Sequence, residues 1–254
     1  MTDPARIWTA ALLVIGDEIL SGRTQDRNIA QLAKWLNIQG IRLAEVRVMA
    51  DDMAAIGAAV TALSGANDYL FTTGGIGPTH DDITVDAIAA ALGRPVVLHP
   101  RAVAILEEHY KARDLPLTDA RLRMARVPEG SELIENPMSG APGIRCGNIL
   151  ILAGVPHIAA MMLEGLAGTL EGGRPILSAT IGCWVAESDV ADLLRLTEKA
   201  HDGCQIGSYP FFREGRTGAN FVVRSTEQGA LAACVADLVQ ALAAAGYAPV
   251  ADGI

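Results

Sequence analysis

The residues best suited to chemistry stand in one run, Thr72-Thr73-Gly74-Gly75-Ile76-Gly77-Pro78-Thr79-His80-Asp81-Asp82-Ile83-Thr84. It follows an apolar segment and leads into a helical pattern, so it is a strand-to-helix loop. Glycines there let the backbone approach a ligand and turn its N–H groups toward an anion, with the helix N-terminus adding to the pull. Gly74, Gly75 and Gly77 are therefore candidate phosphate binders, and the hydroxyls of Thr79 and Thr84 are candidate added donors. Asp81, Asp82 and His80 are candidates for handling a proton or a cation beside that phosphate. A plain turn needs one Gly and one capping Asp, and this loop holds far more. Two familiar nucleotide motifs fit poorly. His80 stands where a dinucleotide fingerprint wants its third Gly, and no Lys follows as a P-loop requires.

A second cluster, Gly16-Asp17-Glu18-Ile19-Leu20-Ser21-Gly22, closes the first apolar segment, with Asn28 a little further on. If the two segments are parallel strands, Asp17, Glu18, Asp81 and Asp82 share one sheet edge. Four carboxylates there repel unless a cation bridges them, and their oxygens suit Mg²⁺, Mn²⁺ or Co²⁺ shared with a substrate phosphate. Two turn-rich segments are candidate walls of the same pocket. One is Asn136-Pro137-Met138-Ser139-Gly140-Ala141-Pro142-Gly143, which offers Ser139 and Gly143. The other is Gly154-Val155-Pro156, which offers Gly154.

The elements that must position these loops alternate. Trp8 to Ile15, Ile41 to Val48 and Tyr69 to Thr73 read as strands, and helical patterns ending near Gly40, Leu63 and Leu92 separate them. Such alternation specifies a parallel sheet with helices on both faces, where ligands bind at the carboxyl ends of the strands. Helices are expected from Pro100 to Lys111 and from Asp119 to Arg126. Gly147-Asn148 is read as a tight hairpin turn, and another helix follows Pro156. Glu171-Gly172-Gly173-Arg174-Pro175 has linker composition. The expected fold is thus α/β, a three-layer, mostly parallel sheet over residues 1–172, then a small α+β domain over 173–254. Gly215-Arg216-Thr217-Gly218 has a Gly-x-x-Gly form used to clamp nucleic acid, but here it joins two strands and reads as a hairpin turn.

Composition sets the outer limits. With 254 residues, half of them hydrophobic, the chain has ample core material. A net charge of −9 argues against coating nucleic acid. Cys146, Cys183, Cys204 and Cys234 lie 37, 21 and 30 residues apart, too far for a zinc or redox motif, so they are expected to be buried thiols in a reducing cytoplasm. The eighteen uncharged residues between Arg145 and Glu164 approach membrane-spanning length, but Gly147, Gly154 and Pro156 interrupt them.

In combination, the motifs resemble the molybdopterin-binding, Mog-like domain of molybdenum-cofactor biosynthesis. They are most similar to its versions in competence/damage-inducible protein A and at the N-terminus of eukaryotic FAD synthases. The resemblance rests on four features: Gly16-Asp17-Glu18 with Ser21-Gly22 and Asn28; Thr73 to Thr84; Ala141-Pro142-Gly143; and Gly154-Val155-Pro156. It covers residues 7 to 170, and the small domain that follows also looks like the competence branch. The resemblance implies a homo-oligomer that binds a small phosphorylated ligand, either a nucleotide diphosphate or a pterin phosphate such as molybdopterin. For the competence branch it implies metal-dependent hydrolysis of pyrophosphates such as ADP-ribose or FAD. The alternatives are molybdopterin adenylyl transfer, or ligand binding without turnover. The family pattern Pro-Gly-Val-Pro-x-Glu-Met departs here to Ala153-Gly154-Val155-Pro156-His157-Ile158-Ala159, placing Ile158 where relatives carry Glu. These 254 residues hold no counterpart of the amidohydrolase domain often fused to competence proteins, so deamidase activity is not expected.

Overall fold

The computed structural model describes residues 6–136, 138 and 140–254. Two compact units divide the chain, Met1–Gly173 and Arg174–Ile254. In the first unit the elements run β1 (Trp8–Ile15), α1 (Asp17–Leu20), α2 (Asn28–Ile38), β2 (Ile41–Met49), α3 (Met53–Ala66), β3 (Tyr69–Thr73) and α4 (Thr84–Ala91). There follow β4 (Val96–Leu98), α5 (Pro100–Lys111), α6 (Asp119–Leu122), β5 (Arg126–Pro128), β6 (Glu132–Ile134), β7 (Gly143–Cys146), β8 (Ile149–Leu152) and α7 (Pro156–Gly165).

The central sheet has the order β2-β1-β3-β8-β7-β6. β2, β1, β3 and β8 are parallel, while β7 and β6 run antiparallel to their neighbours. β1 is buried at every position but Thr9 because both faces are covered. On one face, Leu12, Val14, Phe71 and Leu150 pack with Leu32 and Leu36 of α2 and Met162 of α7. On the other, Leu13, Ile15, Leu70 and Ile151 pack with Ile56, Val60 and Ile88 of α3 and α4. This is the three-layer, mostly parallel α/β arrangement that the alternation specifies.

The second unit holds β9 (Leu177–Cys183), α8 (Glu187–Ala200), β10 (Cys204–Arg213), β11 (Arg216–Ser225), α9 (Gln228–Ala244) and β12 (Val250–Ala251). Its antiparallel sheet is ordered β10-β11-β9-β12, and Phe221 and Val223 pack with Leu194, Leu231 and Leu238 from the two helices. Glu214 and Gly215, at φ 53° and 74°, form the two-residue turn of the β10–β11 hairpin. That is the structural role of the Gly215-to-Gly218 segment. All four cysteines are free and buried. No helix of the described residues is long and apolar enough to cross a membrane.

The differences from expectation are local. The expected helix from Asp119 to Arg126 stops at Leu122, becomes a 3₁₀ turn over Arg123–Ala125, and gives way to β5 at Arg126. β4, β5, β6 and β12 are two or three residues long, too short for alternation to reveal.

Candidate functional site

Parallel pairing of β1, β2, β3 and β8 brings four strand-to-helix loops to one sheet edge. Gly74 stands at its centre. At φ +101° it occupies a backbone region that L side chains rarely adopt, and a Cβ there would lie 2.0 Å from the Ile15 carbonyl oxygen. The loop after β3 thus lies against the end of β1. Across it, a Cβ on Gly154 would come within 3.1 Å of Gly74 Cα, so the loop after β8 closes on the same backbone. Asn28, buried at the start of α2, donates from Nδ2 to the Gly154 carbonyl at 2.8 Å. Its Oδ1 is buried and has no partner among the described residues. Asn28, Gly74 and Gly154, distant in sequence, are therefore gathered at one place.

Several loop residues brace the loop. Thr84 is fully buried, and its Oγ1 donates to the Gly74 carbonyl at 2.9 Å while its N–H donates to the Gly75 carbonyl at 3.1 Å. The expectation that its hydroxyl adds a ligand donor is corrected accordingly: that proton is spent on the loop. Thr79 donates from N at 2.7 Å and from Oγ1 at 2.5 Å to Asp82 Oδ2, so both groups are engaged within the loop. Asp82 turns back over Gly77 in doing so and does not cap α4, whose N-cap residue is Ile83 with no side-chain cap. Ile76 anchors the segment by packing against the apolar clusters on both sheet faces. His80 and Asp81 project as exposed residues between Thr79 and Asp82. The nearby Thr79 hydroxyl and the local backbone N–H hold the Asp81 carboxyl below its ordinary value.

Gly143 lies between Pro142 and Ile144, which line a cleft together with Gly75 and Gly77, but is not itself among the lining residues. It is buried in β7, where a Cβ would lie 3.0 Å from the Ile151 carbonyl oxygen and 3.1 Å from Met162 Sδ. That explains its need to be Gly through hairpin packing and not through ligand contact. Ser139 lies outside the described residues. Ile158, at the Glu position of the family pattern, packs against the apolar cluster that α2 and α7 share with the sheet.

The acidic edge gains a member that the motifs did not single out. Asp51, after β2, accepts from the Asp17 N–H at 3.1 Å. Burial raises its pKa, and the charges of Asp17, Glu18 and Asp81 raise it further. Among the described residues no three His, Cys, Asp or Glu side chains are assembled as a metal cage. The four-carboxylate set Asp17, Glu18, Asp81 and Asp82 is thus not preformed, because Asp82 is turned toward Thr79. The donor chemistry still fits an ion of the Mg²⁺ kind, which keeps waters and takes one or two carboxylates together with phosphate oxygens. Asp17, Glu18 and Asp81 are close enough to Asp51 for their charges to act on it, so the edge is rich in hard oxygens.

A narrow cleft is lined by Gly75, Gly77, Asp82, Asp86, Arg123 and Arg126, among others. Arg126 forks onto both Asp86 oxygens, at 2.5 and 3.1 Å. Neither arginine belongs to a recognised motif. Their signal in the sequence is two cations three residues apart in an acidic chain.

Fold and loop chemistry together define an α/β small-molecule-binding domain with an oxygen-rich, glycine-turned edge. Residues 11–172 match the family model described as "Probable molybdopterin binding domain", and the chain belongs to that family. Residues 175–250 match the model for the FAD synthase middle domain. A protein of Aeropyrum pernix is 34% identical over 220 residues, covering 83% of this chain and 81% of that one. A CinA-like protein of Desulfosudis oleivorans is 35% identical over 179 residues, covering 67% of this chain but only 43% of its own length. The crystal structure of protein CinA from Thermoplasma acidophilum superposes with a TM-score of 0.58 at 33% identity, covering 63% of this chain and 96% of that one. The resemblance read from the motifs is borne out.

Proposed function

We propose that this chain binds a nucleotide diphosphate at the Gly74 loop and hydrolyses its pyrophosphate, with ADP-ribose or FAD as the substrate type. One observation carries the reading: a glycine-turned loop opening an uncapped helix stands directly beside the Asp17, Glu18, Asp51 and Asp81 carboxylates. A phosphate needs the first feature and a divalent ion needs the second. In the reading, backbone N–H groups of Gly75 and Gly77 hold a phosphoryl group, while Gly74, expected from the sequence to join them, shapes the loop with its own N–H donated to the Leu152 carbonyl at 3.3 Å. The carboxylates of Asp17, Glu18, Asp51 and Asp81 hold Mg²⁺, Mn²⁺ or Co²⁺. When bound, such an ion polarises phosphoryl oxygens and acidifies water. Asp81, whose carboxyl the nearby Thr79 hydroxyl and local backbone hold below its ordinary value, serves as a ligand better than as a base. Exposed His80 beside it takes the proton from the attacking water. Asp82 holds the loop's shape through Thr79.

The test is release of AMP from ADP-ribose and from FAD with each of the three metals. Absence of turnover with all of them rejects hydrolysis. A second reading, binding of molybdopterin with or without adenylyl transfer, is favoured by the description of the matching family. It uses the same loop and predicts tight pterin-phosphate binding with no product from ADP-ribose. Assembly of several copies belongs to the same proposal, read out by the mass of the chain in solution.

A further inference from the structure

We infer that Arg123 is the cationic arm of this site, gripping a phosphoryl group of the ligand that the Gly75-to-Gly77 backbone faces. This deepens the function proposed above and rests on the phosphate half of it. Arg123 lines the same cleft as Gly75 and Gly77. Among the described residues, the one hydrogen bond of its side chain is a 3.5 Å approach from Nη2 to the backbone carbonyl of Asp82, and its Nε is buried without a partner. Among the described residues no carboxylate stands within ion-pair distance of it. A guanidinium stays charged at every relevant pH and offers a planar fork of donors. Burying part of that fork unpaired is unfavourable, and in a chain with 29 acidic residues a carboxylate partner was available in composition.

The neighbouring arginine sharpens the point. Arg126 lines the same cleft, yet Asp86 meets it with both oxygens, so its charge is answered within the protein. Arg123, three residues earlier, is left for something absent from the chain. What fits is an anion able to accept two N–H groups in a plane, at the place where a glycine-turned loop opens α4. A phosphoryl group meets each condition. The Asp82 carbonyl contact ties the arginine to the loop, so ligand held by one element is within reach of the other. The loop backbone and the guanidinium then supply two separate anion-binding elements. That favours a diphosphate over a monophosphate.

The experiment uses the full chain and three probes measured by calorimetry: inorganic phosphate, inorganic pyrophosphate and ADP-ribose with Mg²⁺. Wild type is compared with Arg123→Gln and Arg123→Lys, and folding of each variant is checked by its thermal midpoint. Arg123→Gln is expected to weaken pyrophosphate and ADP-ribose about 30-fold or more, a loss in the range for a charged hydrogen-bonding partner. Its thermal midpoint is expected not to fall, because no internal ion pair is lost. Arg123→Lys keeps the charge without the fork and should recover only part of the affinity. Wild-type affinity should drop with salt more steeply than that of Arg123→Gln. Where turnover occurs, the loss should appear mainly in KM.

Undiminished pyrophosphate binding by Arg123→Gln overturns the inference, whatever the hydrolytic activity. Arg123-dependent binding of pyrophosphate without turnover overturns the hydrolase reading and supports the arginine's role. Failure of wild type to bind any of the three probes overturns both. A lowered thermal midpoint for Arg123→Gln with ligand affinity intact assigns Arg123 to structure and also overturns it.

Discussion

Two loops at the same sheet edge, the one joining β2 to α3 and the one joining β3 to α4, solve one topological problem in different ways. Each must turn a parallel strand into a helix. After β2 the turn is minimal: Asp52 takes the N-cap position and accepts from the Ala55 N–H at 2.7 Å. After β3 the chain spends ten residues, Gly74 to Ile83, and caps α4 with no side chain at all. It does so with an aspartate in hand, because Asp82 bonds to Thr79 instead. A loop that only had to turn would use the cap. The helix end without a side-chain cap, and the turn that Gly74 permits at Gly75 and Gly77, are what an anion would use.

Gly74 gives the largest test of this contrast. In Gly74→Ala the new methyl would meet the Ile15 carbonyl at 2.0 Å, in a backbone conformation alanine disfavours. The Ile15 carbonyl is backbone at the end of a buried strand, so it does not yield cheaply. The expected cost is about 3 kcal/mol or more, seen as a lowered denaturant midpoint of the first unit. Gly65→Ala in α3 is the control. Its site is open, and the change should stabilise by about 0.5–1 kcal/mol. Equal effects from the two would remove the case for a constrained loop.

The aspartates divide the same way. Asp82→Ala frees Thr79 and loosens the loop, and should weaken pyrophosphate binding by about 10-fold or more while costing little stability, since the loop tip is exposed. Asp52→Ala removes a cap and should cost about 1 kcal/mol of stability without changing ligand affinity. Urea titration and calorimetry on both variants read the two effects separately. A crossed result, with Asp52→Ala hurting binding and Asp82→Ala hurting only stability, would invert the assignment of the two loops.

How far the sequence disclosed this follows from the kind of signal each part emits. The strands β1, β3 and β8 are continuous apolar runs, and the glycine loop is a dense local motif, so both are visible one window at a time. Asp51, Arg123 and Arg126 are not. Each is an ordinary residue whose importance comes from what folding places beside it. Asp51 was reachable by one more step, since parallel strands put every strand-to-helix loop at the same edge, and Asp51-Asp52 follows β2 just as Asp17-Glu18 follows β1. The arginines sit where an expected helix ends early and the two-stranded β4–β5 ribbon begins, an event three-residue strands do not announce. Thr84 shows the opposite error: a hydroxyl in a motif looked like a ligand donor, but burial turned it inward to Gly74.

The smallest expected effect is the most specific, because it concerns charge alone. Burial, then the charges of Asp17, Glu18 and Asp81, raise the pKa of Asp51 above 3.8. The folded chain therefore holds that proton more tightly than the unfolded chain does. The resulting stabilisation is fully present below pH 3.8 and is lost as pH rises through the folded value. Asp51→Asn keeps an oxygen for the Asp17 N–H and carries no charge. Without divalent ions it should match wild type in acid and exceed it slightly at neutral pH, by less than about 1 kcal/mol, the range of one partly exposed charge interaction. Adding Mg²⁺ at neutral pH should reverse the order, because the ion stabilises the crowded carboxylates and finds one fewer in the variant. Thermal midpoints at pH 3.5 and pH 7, with and without Mg²⁺, supply all four values. A gap at pH 7 that Mg²⁺ leaves untouched would mean the acidic edge repels but does not bind, and would leave the phosphate loop without its metal.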